Sequence, residues 1–312
     1  MILFSPHSTS EKCCAFLLEE IMHKGFYALI VFSAGACYGV LSTFVKMAYA
    51  AGLTLTDVSG MQCLFGMLFL WLAALFTVKR RPSPFQILSL AAIGIPMALT
   101  TIFYYHSLET LSASMAVVFL FQSIWMGTAA ESLIFRKLPG KKQLLSILFC
   151  LSGTFLAAGL AEEGTHFSLS SGMVWGILSA LSYTVMMTAS SLLGKGIPPA
   201  LKGALMSTGD TVLTFILLPP LFLWDASSWP LLMPFGLILG IFGVALPPFL
   251  LAWGMPQVGP GLGTILAASE LPVALLMALM VLGESVTPVQ WIGILMIGAG
   301  MVVGNIKNGK GL

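Results

Sequence analysis

The feature that most limits this chain is a succession of apolar runs of about twenty residues, separated by loops of only about four to nine. A helix needs about 20 apolar residues to cross the hydrocarbon core of a bilayer. Cutting the sequence at charges, prolines and small polar clusters predicts ten spans: 25–48, 54–78, 84–106, 112–134, 142–160, 169–193, 201–224, 231–252, 258–281 and 287–306. Runs of this length favour helices, because a membrane barrel would alternate over strands of about ten residues instead. No loop leaves room for a soluble domain. Only 8% of the residues are charged and 58% are hydrophobic, whereas an ordinary soluble domain is about 25% charged. A soluble enzyme, a secreted disulfide domain, a disordered chain and a nucleic-acid binder are all poor fits. The expected class is an all-α polytopic membrane protein.

Basic residues orient the spans, because they collect on the cytoplasmic side. With the N-terminus inside, the inner loops and tails take Lys12, Lys24, Lys79–Arg81, Arg136, Lys137, Lys141, Lys142, Lys195, Lys202, Lys307 and Lys310. Lys46 lies within the first span, and the outer loops carry Glu109, Glu162, Glu163, Asp225 and Glu284. A miscounted span would scramble this bias downstream. The expectation is therefore ten transmembrane helices with cytoplasmic N and C termini.

The second half echoes the first. The segment Leu111–Gly153 lies over Val258–Gly300 at a shift of about 147, pairing Gln143 with Gln290, and Tyr38 matches Tyr183 at about 145. Each half holds an odd number of spans, five, so equivalent loops must face opposite sides. Their charges agree: RKLPGKK (Arg136–Lys142) corresponds to GESVTPV (Gly283–Val289). The predicted organisation is a cytoplasmic tail over 1–24, a five-helix repeat over 25–160, a second, inverted repeat over 169–306 and a C-terminal tail over 307–312. Inverted repeats are typical of secondary transporters that hold substrate near the midplane.

This arrangement resembles the drug/metabolite transporter superfamily, in particular its EamA-type members. The resemblance rests on LGES (Leu282–Ser285) followed by Val289–Gly293, and on the glycine-rich last span (Gly298–Gly304). It rests also on Ser269-Glu270-Leu271-Pro272 in the ninth span and on Lys46 late in the first. It covers about residues 25–306. The sequence departs from the pattern at Trp125, where the repeat partner is Pro272, at the basic loop RKLPGKK, and at Gln62, where an arginine is common. The resemblance implies export of amino acids, metabolites or drug-like solutes across a cell membrane, the bacterial cytoplasmic membrane above all.

Polar groups inside the spans are the candidate site. An ionisable side chain at a helix centre costs about 2.5–3.5 kcal/mol on insertion scales, so it needs a protein or water neighbour. Asp210 and Glu270 are the two deepest carboxylates; they either line a water-filled cavity, binding a cation, an amino group or a proton, or join helices by hydrogen bonds. Gln62 and Gln122 offer both donors and acceptors. Trp125 and Tyr183 are candidates for an aromatic lining. Tyr104, with Tyr105 and His106, reads as cavity lining or as an interfacial belt. Lys46 reads as a substrate contact or as a side chain snorkelling beside Asp57. Glu131 is expected to pair with Arg136 or Lys137. Gly35 and Gly39 form a small-residue face on the first span, while Pro96, Pro247-Pro248 and the glycines around Pro260 predict interruptions.

The expected function is a secondary transporter working by alternating access, its partners a small-molecule solute, the lipid bilayer and a coupling proton or ion. No nucleic acid, cofactor or metal is expected, and both a monomer and a homodimer stay open. Two alternatives remain: a membrane-embedded enzyme, for which no HExxH or GxSxG is present, and a non-transporting scaffold, which gives no reason for two midspan carboxylates.

Overall fold

The computed structural model describes residues 7–77, 82–108, 110, 116, 119–157, 171–224, 229–282 and 287–305; the side chains of 7–24, Ser42, Lys46, Leu108, Ala278, Leu282 and Asn305 lie outside the description. Within these ranges the chain is helical and contains no strand. The elements are α1 (His7–Ala50), α2 (Leu55–Thr77), α3 (Pro84–Leu108), α4 (Ser123–Phe135), α5 (Lys141–Ala157), α6 (Ser171–Leu192) and α7 (Pro199–Leu217). Then follow α8 (Trp229–Leu239), α9 (Leu246–Val258), α10 (Pro260–Ala267), α11 (Glu270–Met277) and α12 (Pro288–Asn305). Among the described residues, six stretches are long and apolar enough to cross a membrane: Gly25–Ala50, Leu55–Thr77, Pro84–Ser107, Ser171–Leu192, Trp229–Val258 and Pro260–Val281. Pro288–Gly304 is a shorter apolar helix.

Helix starts follow from local chemistry. Thr54 caps α2 and is itself bonded through its amide by the Asp57 carboxylate, at 3.0 Å. Ser83 with Gln86 starts α3, and Thr287 with Gln290 starts α12, each by the same reciprocal pair of bonds. Such boxes satisfy amides that the first turn leaves unpaired.

The interruptions are more informative. Pro247 and Pro248 lack the amides that would bond the preceding turn. The chain meets this with a wide π turn over Gly240–Ala245, and the prolines occupy the first turn of α9, where no amide is needed. The ninth run was expected to loosen at its glycine-rich start. It is instead regular from Pro260 to Ala267 and breaks at Ala268–Ser269, directly before Glu270. Pro272 supplies the cause, since its ring lies against the carbonyl four residues earlier and it has no amide to donate. A matching break occurs at Phe121–Gln122. There Gln122 N–H donates to Phe119 O (3.1 Å), Ile124 to Phe121 (3.0 Å) and Met126 to Gln122 (3.2 Å). The counterparts are Ser269 to Leu266 (3.2 Å), Leu271 to Ala268 (3.4 Å) and Val273 to Ser269 (3.2 Å).

Packing repeats in the same way. α5 lies on α12, α4 on α10 and α2 on α7; α3 packs against α6 and α7, while α8 and α9 pack against α2 and α1. Some contacts between the halves join residues close to the repeat spacing of about 145–147. The Cys63 thiol donates to Asp210 at 3.6 Å and the Cys150 thiol to Ile297 O at 3.9 Å, both 147 residues apart. Side chains here must be small. A Cβ on Gly153 would meet Gly293 O and Ile297, and one on Gly300 would meet Cys150 and Ser146. Close helix approach through small residues is how membrane helices gain packing, because lipid offers no hydrophobic drive between them.

Candidate functional site

A cavity of about 340 Å³ opens between α1, α2, α3, α6, the π turn before α9 and the break before α11. Helical spacing selects its walls. Tyr38, Leu41, Val45 and Tyr49 recur every three or four residues on one face of α1, and Met97, Thr100, Thr101, Tyr104 and Tyr105 do the same on α3. Gln62, Leu120, Tyr183, Met186, Gly243, Val244 and Glu270 complete it. Five of the chain's six tyrosines therefore face one space.

Glu270 owes its place to the helix break. As the first residue of α11 it lies directly after the turn at Ala268–Ser269, and its side chain enters the cavity wall. The break is held from outside: the Ser269 hydroxyl donates to Phe32 O on α1 at 2.7 Å. Gly35 and Gly39 let α1 come this close, for a Cβ on Gly35 would strike Ala267 O and one on Gly39 would strike Glu270 O. Opposite, Tyr38 and Tyr183 meet edge to face, with centroids 6.4 Å apart. Tyr183 is 5% exposed, and its hydroxyl has no partner among the described residues. The Tyr105 hydroxyl points to Gln62 Oε1 at 3.5 Å.

Of the residues singled out from the sequence, Gln62, Tyr104, Tyr183 and Glu270 thus line one cavity. Asp210 lies outside its walls, 1% exposed between α2 and α7, where it accepts from Cys63 and leaves Oδ1 without a partner among the described residues. Gln122 and Trp125 are bonded to each other, indole N–H to Gln122 Oε1 at 2.9 Å, and Trp125 is exposed on the outside of α4. The Lys46 side chain lies outside the described residues. Glu131 accepts from Gln143 (3.2 Å), and Arg136, at the end of α4, lies in a left-handed turn. Beside it lie Gly259 and Gly261 at the start of α10. Lys202 is fully buried and donates to Ser190 O near the end of α6, where a cation suits the helix terminus. The sequence reading passed over Tyr49, Thr100 and Thr101 as lining. Their spacing from Tyr38 and Met97 along one helix face is the signal that would have found them.

Broken apolar helices packed around a carboxylate and a tyrosine lining define a class: a multi-pass membrane protein with an internal solute-sized cavity. The chain belongs to the EamA-like transporter family, whose profile matches it twice, over residues 25–159 and 170–305. It is 30% identical to the Uncharacterized inner membrane transporter YicL of Salmonella typhimurium (strain LT2), over 70% of this chain and 72% of that one. It is 25% identical to the Uncharacterized transporter YwfM of Bacillus subtilis (strain 168), over 90% and 94% of the two chains. A match at 29% to the Uncharacterized transporter YxxF of Bacillus subtilis (strain 168) spans 44% of each chain. A crystal structure with 17% sequence identity superposes with a TM-score of 0.73, covering 90% of this chain and 98% of that one, and so shares its fold.

Proposed function

We propose that this protein is a secondary transporter of the bacterial cytoplasmic membrane that exports a small organic solute by alternating access. It would do so with ten spans in two inverted five-helix repeats, 25–160 and 169–306, and with both termini in the cytoplasm. The observation that carries this reading is the cavity at the helix break, with Glu270 in its wall. Discontinuous helices at a repeat interface are where secondary transporters hold their cargo. The cavity runs from Glu270 toward Tyr49 and Tyr105, near the ends of α1 and α3. Those ends adjoin loops without Lys or Arg, which the distribution of basic residues assigns to the outside. The form described here is then outward-facing, with Glu131, Gln143 and the start of α10 among the groups that close the inner side. Energy would come from the solute's own gradient or from a coupled proton or ion.

The test is flux. Full-length protein in liposomes is loaded with amino acids, amines, nucleosides and sugars, and release is followed with chemical analysis of the released solute. Gradient-driven movement of an unaltered solute, lost in Glu270→Ala, is the expected result. Absence of flux for every class, or release only of a chemically changed solute, would refute the reading; the second would favour an enzyme.

A further inference from the structure

We propose that the cavity recognises a small organic cation, a quaternary or protonated amine, caged by tyrosines and neutralised by Glu270. The inference rests on the transport reading for its purpose but on the cavity alone for its chemistry. Three observations converge. Tyr38, Tyr49, Tyr104, Tyr105 and Tyr183 approach from three helices, and an aromatic face attracts a cation through its negative quadrupole. Glu270 is the one carboxyl side chain among the described lining residues, and no Lys, Arg or His is among them. An anionic solute would therefore meet a carboxylate and no described counter-charge. The hydroxyls of Thr100 and Thr101 already donate to Pro96 O and Met97 O on their own helix, so they present acceptor lone pairs to the space. These two hydroxyls and the Glu270 carboxyl offer acceptors, which match a donor or a positive charge. The Tyr183 hydroxyl, buried and without a partner among the described residues, is left to bond a polar atom elsewhere on the solute.

Size narrows the class further. A volume of about 340 Å³ sits at the low end of the about 300–1,000 Å³ typical of ligand sites. That suits an amine carrying one ring or a short chain and excludes a large multi-ring drug. Met97 and Met186, with Leu41, Val45, Leu120 and Val244, give the remaining wall an apolar surface for that body.

The test uses three probes that share a ring and differ in the head: benzyltrimethylammonium, benzyl alcohol and benzoate. Their binding to the purified full-length protein is measured by calorimetry. A cation–π contact in a desolvated site is worth roughly tenfold in affinity, so benzyltrimethylammonium should bind at least about tenfold more tightly than either competitor. Glu270→Gln should erase most of that preference. Tyr38→Phe should keep it, because the ring face remains, whereas Tyr38→Leu should lower it several-fold. Equal binding of the three probes, preference for benzoate, or an unchanged preference in Glu270→Gln would each overturn the proposal. Wild-type protein, which folds by definition, supplies the first two of these outcomes. Liposome flux separates this inference from the one beneath it. Flux of these probes without charge preference sinks the cation class and keeps the transporter; selective binding of the ammonium without any flux keeps the class and sinks the transporter.

Discussion

The contact between α3 and α7 leaves no tolerance for a methyl group, and this can be turned into a measurement. A Cβ on Gly209 would lie against the Ala91 carbonyl, and one on Gly94 would lie against Met206 O and the Asp210 amide. These obstacles are backbone atoms, so no side-chain rotation relieves them. Gly209→Ala must therefore part the helices, and a gap of about 0.5–1 Å forfeits roughly a quarter to a half of each facing dispersion contact. Overpacking of this kind costs about 1–3 kcal/mol. Alanine returns up to about 1 kcal/mol through its better helix propensity, leaving a net loss of about 1–2 kcal/mol. Gly298 is the control: it lies within α12, and a Cβ there meets nothing within 4 Å. Gly298→Ala should be neutral or stabilising by up to about 1 kcal/mol. Reversible unfolding by SDS in mixed micelles measures both, and the two variants should differ by about 2 kcal/mol. If Gly209→Ala were as stable as Gly298→Ala, the packing argument for this interface would be wrong.

Three further outcomes follow from particular residues. Ser146→Ala removes the bond from its hydroxyl to Gly300 O (2.6 Å); hydrogen bonds between membrane helices average about 0.6 kcal/mol with a maximum near 1.7, so the same SDS titration should show a loss in that range. Thr54→Ala deletes the cap of α2 and its bond with Asp57 (2.6 Å), and should cost about 0.5–2 kcal/mol, while Thr54→Ser should restore most of it. In a background without native cysteines, Leu138→Cys, at a site 94% exposed, should react with a membrane-impermeant maleimide only after cells are opened, and Ala51→Cys should react in intact cells; the reverse pattern would invert the proposed orientation.

The sequence made the helices legible because a length of apolar chain is a physical ruler: Gly25–Ala50, Leu55–Thr77 and Ser171–Leu192 fall on runs read directly from the letters. Interruptions were legible at Pro247-Pro248, but α3 runs on through Pro96, and the break ahead of Pro272 lies later than the glycine-rich start where the ninth run was expected to loosen. They were not legible at Phe121–Gln122, where a residue with a normal amide adopts the same break. The π turn before Pro247 was equally hidden, since several backbone routes can absorb two missing amides. For the site, Asp210 and Glu270 look alike as midspan carboxylates. What separates them is rotation about a helix axis: one side chain turns into the seam with α2, the other toward the cavity. Rotation of that kind is decided by neighbours distant in sequence, such as Gly35 and Gly39 against the broken helix.

The meeting of Cys63 with Asp210, and of Cys150 with Ile297, has a consequence for motion. Suppose the two halves exchange shapes as the cavity passes from one face of the membrane to the other. Most contacts are then traded for others, but a contact between a position and its own image is carried onto itself. Such pairs are fixed points of the swap, and they stay together as the surroundings turn about them. A short tether between positions 150 and 297 should leave turnover intact, whereas the same tether placed between α1 and α11, away from the pivot, should stop it.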